Sequence, residues 1–288
     1  MIYHSFGKTG FEISAVAYGG IVSMEDGQDA SDRYVSWAVD QGVNYFDVAP
    51  SYGDAQEKLG NSLRPYRNRV RLACKTAERL RVNAEREMQE SLKMLHTDHF
   101  DVYQLHAISS EDDVQTAFGP GGVMELVRQM KQEGITANVG ITAHNEDAAL
   151  KCLELYDFDT VLFPINWFMH MEHGMGERLI HTAKEKGMGV LAMKAFIERK
   201  WDSPEEKKQS RFLKSWCKPI DPEDGAFGVA AMKYALSLGV DTLIPPGNIA
   251  SFAFAVEHIG EALRQNLSET ERQLLRSRLE TVRGKEFF

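Results

Sequence analysis

The feature that most restricts the fold of this 288-residue chain is a strand-then-helix rhythm running from end to end. Short apolar runs rich in Val, Ile, Leu, Phe and Tyr recur at residues 14–20, 44–50, 70–76, 100–108, 137–143, 160–166, 189–196 and 242–247. Runs of this length that finish in polar or turn residues read as buried parallel strands. Helical periodicity fills the intervals at 30–41, 55–63, 83–95, 123–132, 146–155, 176–186 and 224–238, and again from residue 250. Gly42, Gly134, Gly187 and Gly239 stand where four of these helices should stop. Parallel strands need crossover helices, and eight such units closing on themselves form a TIM barrel. A further helix is expected from Ser268, with Glu271 positioned to complete a capping box. The expected architecture is therefore α/β, one (β/α)8 barrel domain over 1–288, with an extra C-terminal helix.

The competing fold is an open, doubly wound sheet, which normally carries G-x-G-x-x-G after its first strand. The stretch at 19–24, GGIVSM, does not match it. Gly119-Pro120-Gly121-Gly122 has no strand before it and reads as a loop entering a helix. GKTG at 7–10 lacks the upstream glycine of a P-loop and reads as a turn. One stretch breaks the rhythm: residues 196–224 are polar, charged and without clean periodicity. A connection that long is a functional lid or an unstructured segment, and in a barrel it would emerge after strand seven on the active face.

Composition narrows the function classes. The net charge of -9 argues against a nucleic-acid partner, which usually meets a basic face. Cys74, Cys152 and Cys217 lie far apart and form no CxxC pair, so no zinc ribbon or iron–sulfur cluster is expected. The opening MIYHSFGKTGFEIS has no apolar core of signal-peptide length, and no run reaches the roughly 20 apolar residues of a membrane span. A soluble, cytoplasmic protein with no membrane partner is expected.

Four residues carry the chemistry. Asp47 ends strand two and Tyr52 follows it, Lys75 ends strand three, and His106 ends strand four. Catalytic groups of TIM barrels gather at the C-terminal strand ends, and neighbouring strands lie about 4.8 Å apart, so these side chains should converge. A tyrosine hydroxyl, with an ordinary pKa of about 10, is a poor acid at neutral pH. An ammonium from Lys75 would stabilise the phenolate and bring its pKa toward the working range, with Asp47 holding Lys75 charged. His106 could donate a hydrogen bond to a substrate oxygen. Such a set suits proton transfer during hydride chemistry on a carbonyl. Taken singly, each residue has a plainer reading: a helix cap, a solvated lysine, a satisfied core histidine.

The same residues resemble the aldo-keto reductase family. The resemblance is carried by FDVAPSYG at 46–53, Lys75 in ACKT, His106 in YQLH, the opening FGKTGFEIS, Gly19-Gly20 and IPPG from Ile244. It spans essentially the whole chain and implies a (β/α)8 barrel with an N-terminal hairpin. It also implies a nicotinamide cofactor, and Asp47, Tyr52, Lys75 and His106 as the catalytic four. The implied cofactor is NADP, with NAD as an alternative, and the implied substrate is a small aldehyde or ketone.

The cofactor positions depart from the family pattern. Where relatives place Ser-Asn after strand five, this chain has Thr142-Ala143-His144-Asn145, leaving His144 or Asn145 to serve. On strand six Leu162 stands four residues before Asn166, in place of a glutamine, and on strand seven Met193 replaces an aromatic. After strand eight, residues 246–252 (PGNIASF) contain no Lys or Arg for a 2′-phosphate, although the NH groups around Gly247 and Asn248 could serve at the helix start. The resemblance thus assigns His144, Asn145, Asn166, Met193, Lys194, Pro246, Gly247, Asn248 and Phe252 to the cofactor, and Trp167 and Phe168 to the substrate pocket wall. These departures are similar to a branch whose members can append a cysteine-rich iron–sulfur domain, which this chain lacks. Lys194 could alternatively be a Schiff-base lysine, and is read as a positioned charge. His170, Glu172 and His173, with His144, lack firm metal-ligand spacing and are read as loop residues. A regulatory barrel with little turnover, and a metal-dependent hydrolase, are the alternatives from other classes.

Overall fold

The computed structural model describes residues 1–285 and 287. The chain opens with a hairpin, β1 (Tyr3–Ser5) paired antiparallel to β2 (Glu12–Ser14). Eight parallel strands then form the barrel wall: β3 (Tyr18–Gly19), β4 (Tyr45–Asp47), β5 (Arg71–Thr76), β6 (Phe100–Ile108), β7 (Thr136–Ala143), β8 (Thr160–Pro164), β9 (Gly189–Met193) and, after a small β10 (Ile197–Arg199) and β11 (Lys218–Pro219), β12 (Thr242–Ile244). Each pairs with its predecessor in chain order, and β12 pairs with β9. A parallel bridge between Val16 and Leu243 closes the circle, with Ala17 N donating to Leu243 O and Leu243 N donating to Ala15 O. The expected (β/α)8 barrel is the architecture observed.

Helices surround it: α1 (Gln28–Asp40), α2 (Ala55–Leu63), α3 (Arg81–Met94), α4 (Glu111–Phe118), α5 (Val123–Glu133), α6 (Glu146–Leu155), α7 (Trp167–His173), α8 (Glu177–Glu185), α9 (Pro204–Gln209), α10 (Gly225–Ser237), α11 (Ile249–Arg264) and α12 (Glu269–Val282). The capping box expected at α12 forms, Ser268 and Glu271 each bonding the other's backbone N–H. Three helices were not expected: α4, α7 and α9. The Ser110 hydroxyl starts α4 by accepting from Asp113 N, and the Asn166 side chain starts α7 by accepting from Phe168 N and Met169 N. Side-chain caps of this kind offset the unpaired N–H groups that make such short helices marginal.

The first barrel strand is shorter than the apolar run 14–20. Ser14 is taken by the hairpin and residues 15–17 by the closing seam. The long connection is an ordered strap, in which β10 and β11 pair antiparallel and Ser203 caps α9.

The barrel interior holds Ile13, Ala17, Tyr45, Ala73, Val102, Leu162 and Leu191, closed at the N-terminal end by Phe6 of the hairpin. Phe6 fits because Gly189 has no side chain; a Cβ there would meet its ring at 2.4 Å. A larger core fills the space between sheet and helices. With the floor sealed, the C-terminal mouth is the accessible end. No described helix is long and apolar enough to cross a membrane.

Candidate active site

The mouth opens into a cleft at the C-terminal ends of the strands. Asp47, Tyr52, Lys75 and His106 all line it, together with His144, Met193, Lys194, Pro246 and Gly247. Asp47 and Lys75 end adjacent strands and form a buried ion pair, the two side chains being 2% and 1% exposed. The other carboxylate oxygen of Asp47 accepts from Gln104 Nε2 at 2.7 Å. Tyr52 sits in the turn between β4 and α2, where Ala49 O accepts from its N–H and its own carbonyl accepts from Ala55 N. The Lys75 ammonium lies 5.5 Å from the centre of the Tyr52 ring, and the His106 ring meets that ring edge-on at 5.9 Å.

The electrostatics differ from the sequence expectation at Tyr52. Burial raises its pKa, and Lys75 opposes that shift without reversing it. The phenol is therefore held protonated at neutral pH, in the state of a proton donor. Burial pulls the Lys75 pKa down, but Asp47 and Tyr52 outweigh it, and the net shift is upward. The ammonium stays charged.

His106 owes its place to an irregular strand end. Register shifts between Leu105 and Ile108, and Ala107 takes the left-handed region at φ +54°. Ala107 N donates to Thr142 Oγ1 at 2.7 Å, and Arg79 Nη2 donates to the carbonyls of His106 (2.8 Å) and Ala107 (3.2 Å). Arg79 is fixed in turn by Asp113 at 2.9 Å. Bulges of this kind re-aim side chains beside active sites. Burial, with Lys75, His144 and Arg79 adding to it, lowers the His106 pKa to about 3; burial, Lys194 and Lys75 lower that of His144 to about 4. Both rings are neutral at physiological pH, so His106 offers one N–H and one acceptor nitrogen.

These shifts set a pH dependence of stability. The unfolded histidines take up protons below about pH 6.5, while the folded ones resist until about pH 4 and pH 3. Stability should therefore fall as pH drops through that window, by up to about 1.4 kcal/mol per pH unit per histidine. Denaturant unfolding at a series of pH values checks this: the His106→Asn, His144→Asn double variant should show a shallower acid slope than the parent. An equal slope would mean that other groups govern acid unfolding.

Several other expected cofactor and substrate residues are placed elsewhere. Asn145 is exposed and caps α6, its side chain accepting from Ala148 N. Asn166 is fully buried and saturated, donating to the carbonyls of Lys194 and Ile197 while capping α7. Trp167 and Phe168 do not form the pocket wall expected of them; they turn into a second core with Ile197, Phe227 and Phe287, because α7 faces α10. Phe252 is buried among Tyr18 and Trp37. Asn248 caps α11 behind Gly247, and its Nδ2 is buried without a hydrogen-bond partner among the described residues. The same holds for Ser251 Oγ, one turn along.

The aromatic wall comes from the strap instead. Trp216 lines the cleft and meets the Tyr52 ring edge-on at 5.6 Å. The strap is tied across the mouth by Lys214, which donates to Val22 O at 2.9 Å and to Asp26 at 2.6 Å. Gln104, Arg79, Thr142 and Trp216 were not singled out from sequence. Gln104 lies two residues before His106 on the same strand, so it must share the inward face, which is the signal that could have found it. No described group of three or more His, Cys, Asp or Glu is arranged to hold a metal ion.

A parallel eight-stranded barrel here brings a lysine–aspartate pair, a tyrosine and a histidine together at its mouth, a set of groups able to exchange a proton with a small bound molecule. The aldo/keto reductase family model matches residues 17–212, and the chain belongs to that family. Its members are oxidoreductases that use nicotinamide cofactors on carbonyl compounds. The chain is similar to aldo-keto reductase YhdN of Bacillus subtilis, 27% identical over 210 residues, covering 66% of this chain and 61% of that protein. It is similar to L-galactose dehydrogenase of Arabidopsis thaliana, 28% identical over 249 residues and 74% of each chain. Among solved structures, the holo form of aldo-keto reductase AKR11C1 from Bacillus halodurans superposes with a TM-score of 0.69 at 18% identity, covering 96% of each chain. That similarity concerns the fold.

Proposed function

We propose that this protein reduces a small aldehyde or ketone to an alcohol in the cytoplasm, with NADPH as its dinucleotide and NADH as the alternative. The observation that carries this reading is the convergence of Asp47, Tyr52, Lys75 and His106 on one cleft. A bound nicotinamide supplies the hydride. Tyr52 gives its hydroxyl proton to the carbonyl oxygen as that oxygen gains charge. Lys75 stabilises the phenolate left behind, and Asp47 keeps Lys75 charged and in place. His106, neutral and aimed by the Arg79–Thr142 clamp, donates its one N–H to the same oxygen, which orients the carbonyl.

The residues present fit a dinucleotide. Pro246 and Gly247 line the cleft beside the start of α11, where the Asn248 amide and the Ser251 hydroxyl are buried donors without partners among the described residues. Donors at a helix N-terminus suit a phosphate. Met193 lines the same cleft and would offer an apolar surface to a ring, while Lys194 and His144, which also line it, would offer polar contacts. The test is dinucleotide oxidation with a panel of aldehydes and ketones. Tight dinucleotide binding with no turnover on any of them would favour the second reading, a regulatory barrel, to which the absent strand-seven aromatic and strand-six glutamine lend support.

The dinucleotide preference should be modest. Of the basic residues in the strap, Arg199 is held by Glu206, Arg211 by Asp221 and Glu223, and Lys214, which also lines the cleft, by Asp26. Charge-assisted contacts are the stronger and more salt-sensitive kind. Dissociation constants for NADPH and NADH, each at low and high salt, are expected to differ by about tenfold or less, a gap of roughly 1.4 kcal/mol. A large NADPH preference lost at high salt and in Lys214→Ala would place the phosphate under the strap; one that survives both would place it at α11.

A further inference from the structure

We infer that Gln104 is a positioning residue for the proton donor, acting through Asp47. The inference deepens the reductase reading and rests on it for its kinetic arm. Gln104 is fully buried on β6, directly across from Lys75 of β5 in register. Its Nε2 donates to Asp47 Oδ1 at 2.7 Å, while Asp47 Oδ2 accepts from Lys75. The amide orientation follows from chemistry, because a carboxylate oxygen only accepts and so must face the NH2 group. Asp47 thus has one oxygen assigned to each partner. A carboxylate held at both oxygens cannot rotate, and the Lys75 ammonium, which must serve Asp47 and Tyr52 together, keeps one position.

Gly140 makes room for this arrangement. It is the register partner of Gln104 on β7, and a Cβ there would meet Gln104 Cγ at 2.8 Å and Thr160 Oγ1 at 2.4 Å. Gln104 also carries a cost that packing alone would not select: its Oε1 is buried with no partner among the described residues. Burying an unsatisfied amide oxygen is unfavourable. An apolar side chain would fill the same space without that cost, so the retained feature is the donor directed at Asp47. The charged and titratable groups around the relay are Asp47, Lys75, Tyr52, Cys74 and His106, with His144 and Arg79 behind His106. Gln104 is the neutral member that orders them.

The test uses Gln104→Met, similar in volume without the donor, Gln104→Glu, similar in shape with an acceptor in its place, and Gly140→Ala, which displaces the side chain from behind. For reduction, all three should lower kcat about tenfold or more and leave the dinucleotide dissociation constant within about twofold, as expected for a group acting in the transition state. The alkaline limb of the kcat profile should move upward in Gln104→Met, because Lys75 is freed to shift toward Asp47 and away from Tyr52. Wild-type kcat and an unmoved limb in Gln104→Met would overturn the inference. A second arm needs no activity: thermal unfolding of Gln104→Met, Asp47→Asn and the double variant. Non-additive effects are expected from a direct bond, and strict additivity would overturn the inference whether or not the protein is a reductase. A wild-type protein that turns over no carbonyl, with coupling present in the stability cycle, would instead sink the reductase reading and leave Gln104 as the anchor of Asp47.

Discussion

Tyr52→Phe should abolish most carbonyl reduction, lowering kcat by about 10²–10⁴-fold, the usual contribution of a general acid. Dinucleotide binding should stay within about twofold of the parent, since only a hydroxyl is removed and transition-state interactions are lost selectively. The ring remains, and with it the edge-on contacts to His106 and Trp216. Thermal stability should accordingly change little. Steady-state assays and a fluorescence titration of the dinucleotide separate the two quantities. A Phe variant that keeps most of its activity would assign the proton to another donor.

Lys75→Met should be the most disruptive single change in the molecule, because it damages both chemistry and folding. Its partner Asp47 is 2% exposed and would remain as a buried carboxylate held by Gln104 alone. Removing one member of a buried pair typically costs about 3–5 kcal/mol, far more than the pair itself contributes. Activity should fall at least as far as in Tyr52→Phe, and the Tyr52 pKa, already raised by burial, should rise further without the neighbouring cation. Adding Asp47→Leu should recover much of the lost stability and none of the activity. Denaturant unfolding of the single and double variants reads the first effect, and a pH profile of residual turnover reads the second. A single variant as stable as the parent would mean that water or another cation already compensates Asp47.

What the sequence made legible follows from how strongly each feature is written in it. Barrel strands buried on both faces must be apolar throughout, so β4, β5, β6 and β7 stand out as runs, and their ends display Asp47, Lys75 and His106. Tyr52 sits only five residues beyond Asp47, on a short turn that leaves it little freedom. The residues expected around the cofactor fared differently. Asn145, Asn166 and Asn248 are each a polar residue at the start of a helix, and all three are used as caps. A cap and a ligand contact look alike in sequence, since both ask for a short side chain with an amide or hydroxyl.

Trp167 and Phe168 were misplaced for a related reason. The stretch after strand six reads as a loop, and a loop near the mouth invites a pocket role. Once Asn166 starts a helix there, the two rings turn inward onto α10. Trp216 was invisible in turn because the strap has no periodicity. Its position over the mouth follows in part from an ion pair and a carbonyl bond made by Lys214 to residues about 190 positions away. Long-range contacts of that kind leave no local trace.

The seam between the first and last barrel strands has a consequence for how the chain comes to be folded. Thr242 Oγ1 donates to Ser14 O across 228 residues, and Leu243 exchanges bonds with Ala15 and Ala17. Until that late segment leaves the ribosome, the earlier strands can exist only as an open sheet with two bare edges. Contacts of such sequence separation form slowly, because the entropy of a very long loop is lost before the pairing is gained. The nascent protein therefore passes through an interval in which its edges are open to other chains, and its demand for chaperones should be greatest then, however stable the closed barrel becomes.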